Sequence, residues 1–414
     1  MTFNKMGRAA LASILSLAIV LGATSCSRDY TIAFVYMTSA KAVPGLIDAY
    51  QVDYQAGTLT QLADSPIATS GKNPVAIVSS PNGLFVYVVM RDDSSVEEFA
   101  VGTDGKLYPQ KTYSTTGSFP LAAAVDPTNK FLYVVNTYQN GPNNTTLYTP
   151  ASPGPGSITV FPINGDNSLG APSQTVNIGN NPVSVTASLF NHFLYVVDQE
   201  PAGTTASPSG QVLGFSINTT TGALTPTPGT KIASDSTGRT TAAGYAAGVI
   251  PSYVLEDPTS RFIYVSDQST NQIYGSIVNT DGSLLPMVNS PFLTGQFPLG
   301  MTIDPRGDFL YVANYVSNSI GTYAIDRVTG TLTANAGLSS TQTDTGPTCV
   351  TVEPALGIYV YTSNNLGGTV TGEQLDPHNG GLKPIQNTPF AASGLPTCLV
   401  SVPNGDHTSQ LIVP

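Results

Sequence analysis

Beyond residue 25, apolar residues fall in short alternating runs broken by Gly, Pro, Asn and Asp. This period-two pattern predicts strands and leaves no helical stripe. One core recurs along the chain: Phe34-Val35-Tyr36, Phe85-Val86-Tyr87, Phe131-Leu132-Tyr133, Phe193-Leu194-Tyr195, Phe262-Ile263-Tyr264, Phe309-Leu310-Tyr311 and Ile358-Tyr359-Val360. Its tyrosines lie 46 to 69 residues apart. A second element accompanies it, a Pro opening an apolar run, at Pro74, Pro120, Pro182, Pro251, Pro298, Pro347 and Pro396. Pro suits the first residue of a strand, and the turn behind it is often Asp-Pro, as at Asp126-Pro127, Asp257-Pro258 and Asp304-Pro305. After the Tyr core comes an alternating stretch and then, in five repeats, a Gly turn with a Leu behind it, as in Gly105-Lys106-Leu107 and Gly330-Thr331-Leu332.

Each repeat therefore reads as a meander of four antiparallel strands, A to D, and a spacing in the forties is that of a propeller blade. The order of the ends sharpens this. The first strand, at Phe34, is a B strand with no A strand before it, and the last, Cys398 to Val402, is a lone A strand. Seven A and seven B strands result only if the last A strand joins the first B, C and D strands. That closure leaves no open blade edge. The expected fold is all-β: a seven-bladed β-propeller spanning residues 33–402.

Composition agrees with this expectation. The chain is rich in Gly and Pro, only 10% charged, and has no Trp. Its net charge is −11, and without residues 1–25, which hold Lys5 and Arg8 and no acid, 13 bases face 26 acids. Such a surface repels phosphate backbones, so nucleic acid is excluded as a partner class. Residues 1–25 read as a signal peptide, with a basic start and an apolar run from Ala9 to Gly22 too short to span a membrane. The following Gly22-Ala23-Thr24-Ser25-Cys26 resembles a lipobox, which implies lipidation of Cys26 and a membrane anchor in the cell envelope. Residues 26–32 are then a short tether and 403–414 a tail. A monomer is expected, with no cofactor and no metal.

Tyr311-Val312-Ala313-Asn314, followed by Asp326-Arg327-Val328-Thr329-Gly330-Thr331-Leu332, resembles the YVTN-type repeat and, more widely, the lactonase-like seven-bladed propellers (6-phosphogluconolactonase-like). The resemblance covers nearly all of the chain beyond the signal. It implies the propeller fold, and for hydrolytic members a site of His, Arg and Glu at the channel mouth.

In such a blade the B–C and D–A connections emerge on one face, here called upper, and the A–B and C–D turns on the other. The long insertions are Tyr138 to Gly156 and Glu200 to Gly210, both read as B–C, and Lys231 to Val249, read as D–A. All three would decorate the upper face, over three consecutive blades, which makes it the candidate functional face. Its candidate binding residues are Tyr138, Asp198, Tyr245, Tyr253 and Asp267. The Asn or Asp that closes each B strand recurs, which points to a structural task. Tyr253 and Glu256 break the repeat, standing where other A strands carry small or apolar residues. Glu256 is expected to face the channel or a cation, with Arg239 as partner. His192 and His378 fall in lower-face turns and His407 in the tail, so the usual lactonase base is missing. Glu256 or Glu200 with Arg91 or Arg239 is the remaining catalytic set. Cys349 and Cys398 occupy one position on successive A strands and could bridge neighbouring blades. The simpler expectation is two small residues packed near the axis. The leading functional expectation is a binding module for a protein, glycan or small ligand, the second a sugar-lactone hydrolase, and the third a structural envelope protein.

Overall fold

The structure, a computed structural model, describes residues 30–40, 42–140, 148, 150, 152–199, 210–236, 238–335 and 340–405. Among them there is no helix, and the strands form seven antiparallel blades in a ring. Blade 1 takes its A strand from the C-terminal end (Pro396–Pro403) and its B, C and D strands from Thr31–Ser39, Leu46–Asp53 and Leu59–Gln61. The A and B strands of blades 2 to 7 run as follows: Pro74–Ser79 and Phe85–Met90; Ser118–Val125 and Phe131–Tyr138; Pro182–Ala187 and Phe193–Gln199; Pro251–Glu256 and Phe262–Asp267; Pro298–Ile303 and Phe309–Asn314; Pro347–Val352 and Tyr359–Asn364. Closure is antiparallel, pairing Ala33 with Pro403, Tyr36 with Val400 and Ser39 with Pro396.

What makes the ring one body is a latch repeated at every seam. The B-strand Tyr of each blade donates its hydroxyl hydrogen to a carbonyl in the next blade's C–D turn. The pairs are Tyr36 to Gly105 (2.7 Å), Tyr87 to Asn167 (3.0 Å), Tyr133 to Gly222 (3.2 Å), Tyr195 to Gly282 (3.1 Å), Tyr264 to Gly330 (2.7 Å), Tyr311 to Gly380 (3.0 Å) and Tyr361 to Gly57 (2.6 Å). The last of these crosses from blade 7 to blade 1. Burial raises the pKa of every one of these phenols, so they stay protonated donors. Six of the seven carbonyls belong to glycines at positive φ, and at Gly105 an added Cβ would lie 2.2 Å from the Phe34 ring. The recurring Phe-x-Tyr and the recurring turn Gly are thus two halves of one contact.

The latch corrects the reading of the seventh repeat. Tyr361 bonds Gly57, whereas Tyr359 occupies the Phe position and lies against the Gly57 backbone. The core of blade 7 is Tyr359-Val360-Tyr361, two residues beyond the register expected from Ile358-Tyr359-Val360.

The A–B turns explain the Asp-Pro signature. Asp257 Oδ1 accepts the N–H groups of Arg261 and Phe262 at 2.7 Å each, Asp304 Oδ1 those of Asp308 and Phe309, and Glu353 those of Ala355, Leu356 and Ile358. Cys349 and Cys398 form a disulfide between the A strand of blade 7 and the closing A strand, with Cα atoms 5.1 Å apart. This corrects the expectation of two unbridged packing residues.

Candidate functional site

The seven A strands surround an axial cavity of about 500 Å³. Its wall follows from the repeat, because small and apolar side chains (Ala76, Ala122, Ser184, Gly300) stand where strands converge. Polarity in the wall is confined to hydroxyls, and three of these bond across seams at the upper end. Ser252 donates to the Pro298 carbonyl (2.7 Å), Thr348 to that of Thr397 (2.8 Å) and Thr397 to that of Pro74 (2.8 Å). No Asp, Glu, Lys, Arg or His lines this cavity among the described residues. Tyr253 does line it, and burial raises its phenol pKa.

The rim of the upper mouth is set by the residue preceding each A-strand Pro: Asn73, Phe119, Asn181, Ile250, Phe297, Gly346 and Leu395. Phe119 (φ 55°) and Phe297 (φ 59°) adopt left-handed backbone, a costly conformation for a bulky residue. Each packs its ring on an upper-face Tyr, Phe119 on Tyr138 at 5.7 Å and Phe297 on Tyr315 at 5.8 Å. Ile250, Phe297 and Leu395 remain more than a third exposed. Beside Asn73, the Arg91 N–H donates to the Asn73 carbonyl (3.2 Å), the Arg91 Nε pairs with Asp92 Oδ1 (2.9 Å), and Asn73 Nδ2 donates to Asp92 Oδ2 (3.3 Å). Of the ion pairs among the described residues, this is the one on the upper face, since the others involve A–B or C–D turns. The upper ends of the A strands therefore carry four large apolar residues, Phe119, Ile250, Phe297 and Leu395, and one carboxylate–guanidinium pair.

Several sequence candidates lie elsewhere. Glu256 sits at the lower end of its A strand, where it accepts hydrogen bonds from Ser188 Oγ (2.6 Å), Ser260 Oγ (2.9 Å) and the Leu189 N–H (3.1 Å). Burial pushes its pKa up to about 7 against those bonds. It ties blade 5 to blade 4 and, among the described residues, pairs with no cation. Arg239 is exposed at the tip of a hairpin (Lys231–Ser234 and Thr240–Ala243), the length of an A strand from Glu256 (roughly 20 Å). The strand order shows why: this hairpin interrupts the D strand of blade 4, between Leu224–Pro226 and Tyr245–Ala246, and does not form a D–A connection. Its tip still reaches the upper face, where Gln139 Nε2 donates to the Gly238 carbonyl (2.8 Å). The insertions accordingly belong to blades 3 and 4 rather than to three blades.

Tyr245 sits in the outer part of blade 4 and donates to the Pro228 carbonyl, away from the mouth. Asp267 is buried and holds its own B–C turn and the preceding loop, accepting the Val249 and Ile250 N–H groups at 2.7 and 3.1 Å. Asp198 is buried and accepts Gln211 Nε2 at 3.1 Å. His192 and His378 are exposed in lower-face turns. Cys26, Glu200 and His407 lie outside the described residues. The apolar rim residues were absent from the sequence-derived site, and Asp92, expected from sequence on the upper face beside Arg91, was not among its catalytic candidates. The residue before each repeating Pro was the signal that would have found the rim.

Comparison with known proteins bears on what such a mouth does. The family model described as Lactonase, 7-bladed beta-propeller, matches residues 44–143 and 209–352, more than half of the chain. A 6-phosphogluconolactonase of Blochmanniella pennsylvanica is 24% identical over 310 residues, 74% of this chain and 80% of the relative. A Yersinia pestis 6-phosphogluconolactonase is 37% identical over 76 residues, so the chain spans only 22% of the length of that relative. Among solved structures, a candidate 6-phosphogluconolactonase of Bacteroides fragilis superposes with a TM-score of 0.70 at 19% identity, covering 91% of this chain and 99% of that one. The Pseudomonas aeruginosa periplasmic gluconolactonase gives 0.69 at 17%, covering 90% and 99%. At such identities the structural likeness shows the fold, and the family match supplies the assignment. The chain belongs to the lactonase family of seven-bladed β-propellers.

Proposed function

We propose that the protein is a lactonase-like hydrolase that opens a sugar lactone at the upper mouth of its axial channel. The observation that carries this reading is the Arg91–Asp92 pair, held on Asn73, which immediately precedes the cavity-lining strand Pro74–Ser79 of an uncharged cavity. Family membership supports it, as do relatives named for lactone hydrolysis. They favour the hydrolase over the binding module, which finds no support among them.

Ring opening needs a base for water and a cation for the oxyanion. Asp92 takes a proton from water as the hydroxide oxygen bonds to the lactone carbonyl carbon. The Arg91 N–H groups not engaged by Asp92 hold the oxygen that becomes negative. The ring C–O bond then breaks, and the departing alkoxide recovers the proton from Asp92, leaving a hydroxy acid. The apolar rim offers Phe297 and Phe119 as faces for the C–H side of a sugar ring. A phosphorylated lactone would bring extra negative charge to a rim where Arg91 is already paired, in a protein of net charge −11. The unphosphorylated lactone is therefore the better substrate.

We also propose that the ring is exported and tethered through Cys26. The apolar run before that cysteine supports this, and so does the disulfide, a bond that persists in oxidising compartments. Proton release from δ-gluconolactone and its phosphorylated form tests the reaction. Saturable hydrolysis above the spontaneous rate, faster for the unphosphorylated compound, is expected. No rate above background for either lactone would reject the reading.

A further inference from the structure

The chain enters the ring and completes it at one place on the lower face. The first B strand, Thr31–Ser39, begins there, and the closing A strand, Pro396–Pro403, ends there, with Ala33 paired to Pro403. Asn404 clamps the entry, its N–H donating to the Ile32 carbonyl (2.9 Å) and its Nδ2 to the Thr31 carbonyl (2.8 Å). In the C–D turn of blade 1, the Tyr54 N–H donates to the Tyr30 carbonyl (2.9 Å), and the two rings meet edge to face with centroids 5.4 Å apart. Leu84, in the A–B turn of blade 2, follows Gly83, where an added Cβ would lie 3.6 Å from Pro403. Tyr30, Tyr54 and Leu84 are 46, 44 and 51% exposed, so three large side chains stand open around the entry.

Distance decides which face a tether through Cys26 can bring to a membrane. Four residue steps separate Cys26 from Tyr30, at most about 14 Å of extended chain. The strand that starts beside Tyr30 and crosses from the lower to the upper face, Thr31–Ser39, is about 27 Å long. A lipid-bearing Cys26 therefore cannot reach a bilayer lying on the upper face. Exposed apolar residues occur on that face too, Val316 at 53% and Leu366 at 62%, so the tether rather than apolar exposure makes the choice. Around the entry, Tyr rings suit the headgroup zone, where one end of a side chain meets apolar surroundings and the other meets water. A chain of net charge −11 favours zwitterionic lipid over an anionic leaflet.

We propose that the lower face rests on a zwitterionic bilayer, with Tyr30, Tyr54 and Leu84 in the headgroup zone and the channel mouth directed away from the membrane. This orientation rests on the anchoring of the chain through Cys26, and it leaves the upper face open to soluble substrates. The sequence contains no Trp, so a single introduced Trp reports its own surroundings. Tyr54→Trp, Phe190→Trp and Val316→Trp, each in the full acylated chain, are compared in phosphatidylcholine vesicles with and without a nitroxide on the lipid headgroup. Phe190 is an exposed lower-face residue of blade 4, across the ring from blade 1. The nitroxide should quench emission from Tyr54→Trp and Phe190→Trp and leave that of Val316→Trp unchanged. Quenching of Val316→Trp would overturn the orientation. So would quenching of Tyr54→Trp without Phe190→Trp, the pattern of a ring standing on its edge, or no quenching at all. The mass of the mature N-terminal peptide separates the two readings. An unmodified Cys26 overturns anchor and orientation together, whereas an acylated Cys26 with the wrong quenching pattern overturns the orientation alone.

Discussion

Replacing Tyr264 by Phe removes one oxygen from the seam between blades 5 and 6 and nothing else. Tyr264 is fully buried, and its hydroxyl donates at 2.7 Å to the Gly330 carbonyl, which is itself buried in the C–D turn. The variant loses a hydrogen bond with a net value of roughly 0.5–1.5 kcal/mol. It also strands a buried acceptor, at a cost of roughly 1–3 kcal/mol. Because the two overlap, the expected destabilisation is about 2 kcal/mol. Tyr108, about half exposed, is the control, and Tyr108→Phe should lie within about 0.5 kcal/mol of wild type. Urea unfolding followed by tyrosine fluorescence measures both. If each latch acts locally, Tyr264→Phe and Tyr36→Phe, which lie in separate seams, should add in the double variant. Tyr264→Phe indistinguishable from the Tyr108 control would refute the latch as a source of ring stability.

Three further outcomes follow from particular contacts. Non-reduced peptide mapping should recover Cys349 and Cys398 in one linked pair, and Cys398→Ser should cost about 4 kcal/mol, the loop-closure value for a separation of 49 residues. The Glu256 carboxyl, raised by burial from 4.5 to about 7, binds its proton more tightly in the folded than in the unfolded chain. Its contribution is fully present below about pH 4.5 and is lost as pH rises through 7, by up to about 3 kcal/mol. Urea midpoints at pH 5 and pH 8 should therefore fall less in Glu256→Gln than in wild type. Phe297→Asn, which places at this left-handed position the residue found at Asn73 and Asn181, should raise Tm or leave it unchanged while raising KM for the lactone.

The ring was legible in the sequence because the latch uses the same residue types at nearly every seam. Phe, Tyr and the turn Gly recur since each touches its counterpart in the next blade, and the end strands announced the closure. Blade 7 was misread by two residues because Tyr359 fills the Phe position, and a tyrosine there mimics the latch. The hairpin of blade 4 was misplaced because Leu224-Thr225-Pro226 reads as a complete D strand, hiding its continuation at Tyr245-Ala246. Glu256 looked like a channel residue because sequence shows that it lies on an inner strand, but not which way the strand end turns. The mouth was least legible of all. It is assembled from single residues before seven prolines, and its rim aromatics are held by backbone angles that no side-chain pattern reveals.

The central claim is that lactone hydrolysis occurs at the Arg91–Asp92 rim. Steady-state hydrolysis of δ-gluconolactone by wild type, Asp92→Asn and Arg91→Lys tests it most directly. The account predicts that kcat falls at least about a hundredfold in Asp92→Asn, as loss of a general base requires, with the urea midpoint of the fold unchanged. Arg91→Lys, which keeps the charge but loses the planar fork, should lose less. Undiminished kcat in Asp92→Asn would contradict the account and place any lactone chemistry elsewhere on the ring.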